Sequence, residues 1–215
     1  EYAGTAPMEF KTKKNIVYLL NVKNVCTYEM DDTPPFLVNQ QAIDVAIEQC
    51  LMLGCDIVDE VHIARKQYLD GSIPTGFQRT AIVGVNGKLP FRGRLLSITQ
   101  VSVEEDSCRE VSDRGHLIVW RTDRLGMPLI EMVTGPDLRS ADEAAQYLIR
   151  LRQLLRWLDV SEADMEKAHL RCDANVSIRP KGADYLNPKT EIKNVNSIDA
   201  VRDAIEREIE RQIRE

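Results

Sequence analysis

The chain has 215 residues, 43% of them hydrophobic and 29% charged, and its 28 basic side chains stand against 34 acidic ones for a net charge of −6. That balance excludes a disordered chain and a generic nucleic-acid coat, which needs surplus Lys and Arg to neutralise phosphate; any RNA must be met at a local site or through a partner. No apolar run approaches the ~20 residues that span a bilayer, and "EYAGTAPMEF" has neither the basic start nor the apolar stretch of a signal peptide.

The length suits one substantial domain or two small ones, and a chain that starts without Met is expected to be processed or partial. Residues 11–38 hold the apolar run "NIVYLL" and then "CTYEMDDTPP", whose paired prolines mark a connection. Asn39 is placed to cap a helix with Ala42, Ile43, Ala46, Ile47, Cys50 and Leu51 on one face, and Gly54 to end it. From about 57 to 134 the pattern is strand-like. "RTAIVGV" runs into Asn86-Gly87, a dipeptide suited to a tight hairpin, and "RLLSITQVSV" slips in its alternation near Thr99, as a bulge requires. "HLIVWR" and "PLIEMV" read as further strands. Ser140 and Glu143 form a capping-box pattern before a helix that buries Tyr147, Leu148, Leu151, Leu155 and Leu158. Strands over 170–179 and 189–195 follow, joined by "KGADYLNP", and a last helix starts near Ser197 with Ile198, Val201, Ile205, Ile209 and Ile213 on one face. Strands in runs with helices between the runs predict an α+β fold with a largely antiparallel sheet flanked by helices.

Several signatures are missing from the sequence: no phosphate-binding P-loop, no strand-linked G-x-G-x-x-G, no H-E-x-x-H and no G-x-S-x-G. With only His62, His116 and His169, a Ser-His-Asp arrangement has little support. Cys26, Cys50, Cys55, Cys108 and Cys172 are odd in number and unpaired in spacing, which fits a reducing cytoplasm and not a zinc site or disulfide framework. Carboxylates on strands carry more information. In "PLIEMVT", Glu131 shares a face with Leu129 and Val133; burying it alone costs several kcal/mol, so it should meet a cation, a basic side chain or a cavity, or else a salt bridge at the sheet rim. Glu104, Glu105 and Asp106 end a strand, either as oxygen ligands suited to Mg²⁺ or as a solvated turn. In "HLRCDANVSIRP", Asp173, Asn175, Ser177 and Arg179 alternate with Cys172, Ala174, Val176 and Ile178, so the polar row is either the wet face of a sheet or the floor of a site.

Read together, "TDRLGMPLIEMVTGPDLRS", "LRQLLRWLDVS", "HLRCDANVSIRP", "KTEIKNVNS" and "AIEREIERQ" resemble, in order and spacing, the B-type chains of the tRNA-dependent amidotransferases. "YEMDDTPP", "VDEVHIARKQYLDGSIPTGFQRT" and "VEEDSCR" are closer to the archaeal E-type chains of the same superfamily. The resemblance covers about residues 25–215. It implies the family's catalytic cradle over 1–196, without the family's first G-L-E-x-H strand, and over 197–215 the start of a helix that leads in the family to the tRNA-binding region.

The activity so implied is that of a ligase forming a carbon–nitrogen bond with glutamine as amide donor. ATP and Mg²⁺ serve to phosphorylate the side-chain carboxylate of misacylated Glu-tRNA(Gln) or Asp-tRNA(Asn). Ammonia from a partner amidase or asparaginase-like subunit then displaces the phosphate, in the cytoplasm and without a membrane. By resemblance, Glu104 or Glu105, Glu131 and Asp173 match carboxylates around the metal, and Glu131, Asp173 and Lys193 are the expected catalytic residues. Arg65, Lys66, Tyr68, Gln78, Arg79 and Arg171 match positions that bind nucleotide and substrate. Two other readings compete: a free-standing paralogue that activates a carboxylate not carried on tRNA, and a non-catalytic binding module that keeps the fold.

Overall fold

A computed structural model describes residues 14–20, 23 and 25–215; the chain start, where the G-L-E-x-H strand is expected to be missing, lies outside the described residues. The chain divides into two compact units, Glu1–Gly135 and Pro136–Glu215, so the boundary falls within the span expected to form one domain.

In the first unit, helix α1 (Gln40–Met52) is capped as its sequence predicts: the Asn39 side chain accepts from the Ala42 backbone N–H at 3.0 Å. Its end is a Schellman turn, with Cys55 N–H bonding Cys50 C=O at 2.9 Å and Gly54 N–H bonding Leu51 C=O at 3.2 Å around Gly54 at φ 59°. Leu51 is not on the buried face; it is 66% exposed, and the helix packs through Ala42, Ala46, Gln49 and Cys50.

The helix lies on a sheet ordered β2-β4-β5-β8, made of β2 (Asp56–Ile57), β4 (Phe77–Phe91), β5 (Arg94–Glu105) and β8 (Pro128–Thr134), with β3 (Ile63–Gln67) also paired to β4. All these pairings are antiparallel. Val83, Leu89, Leu96, Ile98, Val101 and Val103 fill the core with Ala46, Cys50 and Leu53. The expected hairpin at Asn86-Gly87 is not there. β4 runs through both residues and turns at Arg92-Gly93, at φ 48° and 75°. Asn86 does take positive φ, 60°, but inside the strand, where its side-chain amide donates to Asp56. Gly87 is needed for close approach, because a Cβ there would lie 2.5 Å from Cys55 Sγ. The bulge expected near Thr99 is present as a register shift between Ile98 and Gln100 against β8.

A second, three-stranded sheet orders β1 (Asn15–Leu19), β7 (Leu117–Arg121) and β6 (Arg109–Arg114). Its β1–β7 pairing is parallel. Trp120, Ile118, Cys108, Ile73 and Leu125 form its core.

In the second unit, α2 (Ala141–Trp157) and α3 (Ile198–Arg214) pack on each other, capped by Ser140 and Ser197, whose hydroxyls accept from Glu143 and Ala200 N–H at 3.1 Å each. Tyr147, Leu148, Leu151 and Leu155 of α2 and Val201 and Ile205 of α3 are buried, whereas Ile213 is 69% exposed. The strands expected over 170–179 and 189–195 shorten to the hairpin β9 (Ala174–Val176) and β10 (Thr190–Ile192). Gln212 of α3 bonds Val176 C=O and Ile178 N–H through its side-chain amide, taking the place of a further strand.

Candidate functional site

Cross-strand register assembles one polar face in the first unit. Lys66 lies opposite Gln78, Thr80 opposite Glu104, and Ser102 opposite Glu131. Directly paired residues share a face, as do residues two apart along a strand, so these six side chains point the same way. Thr80 Oγ1 donates to Glu104 and Ser102 Oγ to Glu131, each at 3.3 Å. Burial pushes the Glu104 carboxyl above its usual range, and the Glu131 charge pushes it further, against the pull of Lys66 and the Thr80 hydroxyl. Glu131 itself is exposed, so it escapes the cost of lone burial on its apolar row, and it accepts from the Ser102 hydroxyl at the sheet rim. The reason is topological: among the described residues β8 pairs only with β5 and forms an edge of the sheet.

The opposite face holds a different set. Arg79, 8% exposed, donates from Nε to Glu105 Oε2 at 2.9 Å and from Nη2 to Oε1, and bonds the Phe36 carbonyl through Nη1. Its guanidinium lies 4.7 Å from the Tyr28 ring centroid, and Glu105 holds its pKa up. Asp106 accepts from Arg124 Nε at 3.0 Å. The acidic triplet is therefore split: Glu105 and Asp106 belong to ion pairs, and Glu104 alone joins Glu131. Of the expected binding residues, Tyr68 donates to Gln78 Oε1 at 3.3 Å, Gln78 Nε2 donates to the Glu105 carbonyl, and Arg65 stacks on Phe77 at 4.7 Å. Arg65, Phe77, Thr75, Tyr28, Asp31 and Asp32 border a cavity of about 300 Å³.

Asp173, Lys193 and Arg171 lie in the second unit. Glu191 pairs opposite Asn175 across the hairpin, and Lys193 Nζ reaches Asp173 at 3.1 Å and Glu191 at 3.3 Å. These partners, Asp173 first, raise the Lys193 pKa. Ser177 and Arg179 turn instead to the connecting loop, donating to the Asn187 and Tyr185 carbonyls. Beneath the row Val176 is buried, and burial raises the Cys172 thiol to about 11. Arg171 is exposed at the start of this segment.

Among the described residues no three His, Cys, Asp or Glu side chains gather as a metal cage. Mg²⁺ ordinarily needs none, because one or two carboxylates plus substrate phosphates hold it. Glu104 and Glu131 offer two carboxylates on one face, with Glu104 made costly to ionise by burial and by its neighbour. Sequence reading did not find Thr80 and Ser102, the hydroxyls that support these carboxylates, or Tyr28 and Phe36 around Arg79. No local signal marks them; only the register does.

Residues 8–215 match the family described as the GatB/GatE catalytic domain. The chain is 38% identical over 207 residues to the E-type chain of the glutamyl-tRNA(Gln) amidotransferase of Saccharolobus islandicus, an alignment covering 96% of this chain and 31% of that protein. It is 38% identical over 208 residues to the protein of the same name in Aeropyrum pernix, covering 97% and 31%. To the B-type chain of the aspartyl/glutamyl-tRNA(Asn/Gln) amidotransferase of Bdellovibrio bacteriovorus it is 40% identical over 191 residues, covering 86% and 40%. The chain thus spans about a third of the length of its E-type relatives.

Proposed function

Because the chain belongs to the GatB/GatE catalytic-domain family, we propose that it carries out carboxylate activation and amidation in a tRNA-dependent amidotransferase. The acceptor is the side-chain carboxylate of Glu-tRNA(Gln) or Asp-tRNA(Asn). A carboxylate is a poor acyl donor; phosphorylation by ATP gives it a leaving group, and ammonia from a companion amidase or asparaginase-like subunit displaces the phosphate. The location is the cytoplasm, where free thiols such as those of the five cysteines stay reduced. Among the described residues no helix is long and apolar enough to cross a membrane.

The observation that carries this reading is the Glu104–Glu131 pair on one sheet face beside Lys66. Glu104 and Glu131 would hold Mg²⁺, which when bound neutralises charge on the moving phosphoryl group. Thr80 and Ser102 fix the two carboxylates by hydrogen bonds. Lys66 adds a positive charge for phosphate on the same face. Gln78, held by Tyr68 and by the Glu105 carbonyl, presents a positioned amide. In the second unit Lys193, oriented by Asp173 and Glu191, offers a cation for an anionic group of the substrate, with Arg171 as a further basic position. Arg79 and Glu105 tie the inner strands β4 and β5 together by pairing with each other.

Calorimetric titration of the intact protein with Mg²⁺-ATP tests the reading. Saturable binding that is lost without Mg²⁺, and lost in the Glu104→Gln, Glu131→Gln double variant, is the expected result. Absence of nucleotide binding would remove ATP-dependent activation in any form and leave a binding module.

A further inference from the structure

The outer face of α2 is the least explained surface of the second unit. From Ala144 to Leu158 there is no acidic residue, yet Arg150, Arg152 and Arg156 all fall within that stretch, in a chain of net charge −6. Gln146, Arg150, Gln153 and Trp157 are all exposed and follow one another by four, three and four residues, which sets them in one stripe. Trp157 is 80% exposed. Among the described residues none of the three arginines makes an ion pair; Arg156 donates to the Glu162 carbonyl at 2.6 Å. On its inner flank, Arg152 and Arg156 border a cavity of about 450 Å³ with Asp164, Glu166 and Asp199.

The ordinary explanation for a charged helix face is solvation, and α3 shows what that looks like. There Arg202 pairs with Asp199 and Arg211 with Glu208 and Glu215, along the helix itself. The acids nearest α2 are mostly engaged in the same way: Asp199 by Arg202, Glu162 by His169 and Lys167, and Asp164 by the Lys167 side chain and backbone N–H groups. Asp142 and Glu143 lie in the first turn of α2, about two turns before Arg150, and Asp159 and Glu166 follow nearer its other end. The positive charge on α2 is therefore only partly offset, and Arg150 shares its stripe with a large aromatic ring exposed to water.

We infer that this face of α2 is an RNA contact, with Trp157 as a stacking platform for an unpaired base and Arg150 as a phosphate ligand. A protein partner would want an apolar centre around the tryptophan. The stripe instead flanks it with glutamine and arginine, the composition that stacks a base and tracks a backbone. The acidic chain thus has a local basic patch through which it meets RNA. The inference rests on the reading of tRNA as substrate and adds a place where tRNA is held.

The test uses the intact protein with its companion subunits and the misacylated tRNA. Binding is measured by fluorescence anisotropy from 50 to about 300 mM salt, alongside steady-state amide formation. Trp157→Ala is expected to weaken tRNA binding on the order of tenfold. Arg150→Ala should lower the slope of log affinity against log salt by about one. Both should raise the KM for tRNA and leave kcat at saturating tRNA unchanged. Wild-type affinity and salt slope in both variants, with amide formation intact, would overturn the inference while the proposed reaction stands. Unchanged tRNA affinity with loss of a companion chain on size exclusion would overturn it in favour of a protein interface. If the wild type neither binds tRNA nor forms amide, the inference and the proposed reaction fail together.

Discussion

At the scale of residues, Glu104, proposed above to hold Mg²⁺, illustrates how such a position would cost stability until an ion arrives. A carboxyl whose folded pKa is raised binds its proton more tightly when folded, so folding is favoured at low pH. That advantage is lost as pH rises through the folded pKa, and at neutral pH the ionised Glu104, crowded by Glu131, opposes folding. Glu104→Gln should therefore raise Tm by roughly 1–3 °C at pH 7 without Mg²⁺, with the gain vanishing near pH 3–4, where both states are protonated. Mg²⁺ should raise the Tm of the wild type only. Thermal scans at both pH values check this, and a lower Tm for the variant at pH 7 would show Glu104 to be a structural partner. Arg79 is the contrasting case. Its pair with Glu105 is almost buried, and Arg79→Ala leaves a carboxylate without its partner at a cost of about 3–5 kcal/mol. Arg79→Lys should recover little of this, because one ammonium cannot reproduce two parallel bonds; urea melts of the three proteins decide. Sequence reading identified the acidic triplet but not which member faces which side. Alternation says only that neighbours diverge, and the face of each depends on strands some twenty-five residues away.

Among elements, the helices were the most legible because their signals are local. Asn39, Ser140 and Ser197 each bond the backbone N–H three residues on, as their positions imply. The hairpin was misplaced because Asn-Gly is suited to more than one geometry with positive φ. The chain uses Asn86 for a distortion within β4 and turns at Arg92-Gly93. What fixes this choice is packing: Gly84 and Gly87 pass under the end of α1, where a Cβ on either would lie 2.5 Å from a cysteine sulfur. Gly84→Ala should accordingly destabilise by about 1–3 kcal/mol through overpacking against Cys50. Gly93→Ala, with open space around it, should cost only about 1 kcal/mol from its positive φ. Equal effects in denaturant melts would mean that α1 does not rest on β4 as described. β6 went unread because "REVSDR" is too polar to signal a strand; its pairing with β7 makes it one.

For the whole molecule, the fold class and the family were legible in the sequence, the latter through long motifs whose spacing no single strand or helix explains. The division at Gly135 and Pro136 was not, because the Gly-Pro break and the change from strand to helix pattern mark the end of an element without saying that a compact unit ends with it. It assigns the two carboxylates of greatest interest, Glu131 and Asp173, to different units. Each can be tested separately for the proposed reaction: Asp173→Asn should impair turnover by releasing Lys193, and Glu131→Gln by removing a carboxylate proposed to hold the metal. The most direct measurement is Mg²⁺-dependent ADP formation by the intact protein on misacylated tRNA, comparing wild type with Glu131→Gln. Because Glu131 is exposed and its charge crowds Glu104, the metal-ligand role predicts a Tm no lower than that of the wild type and a turnover lower by about 10²–10³-fold, the scale for losing one preorganised electrostatic contact. Full turnover in a folded Glu131→Gln variant would contradict it.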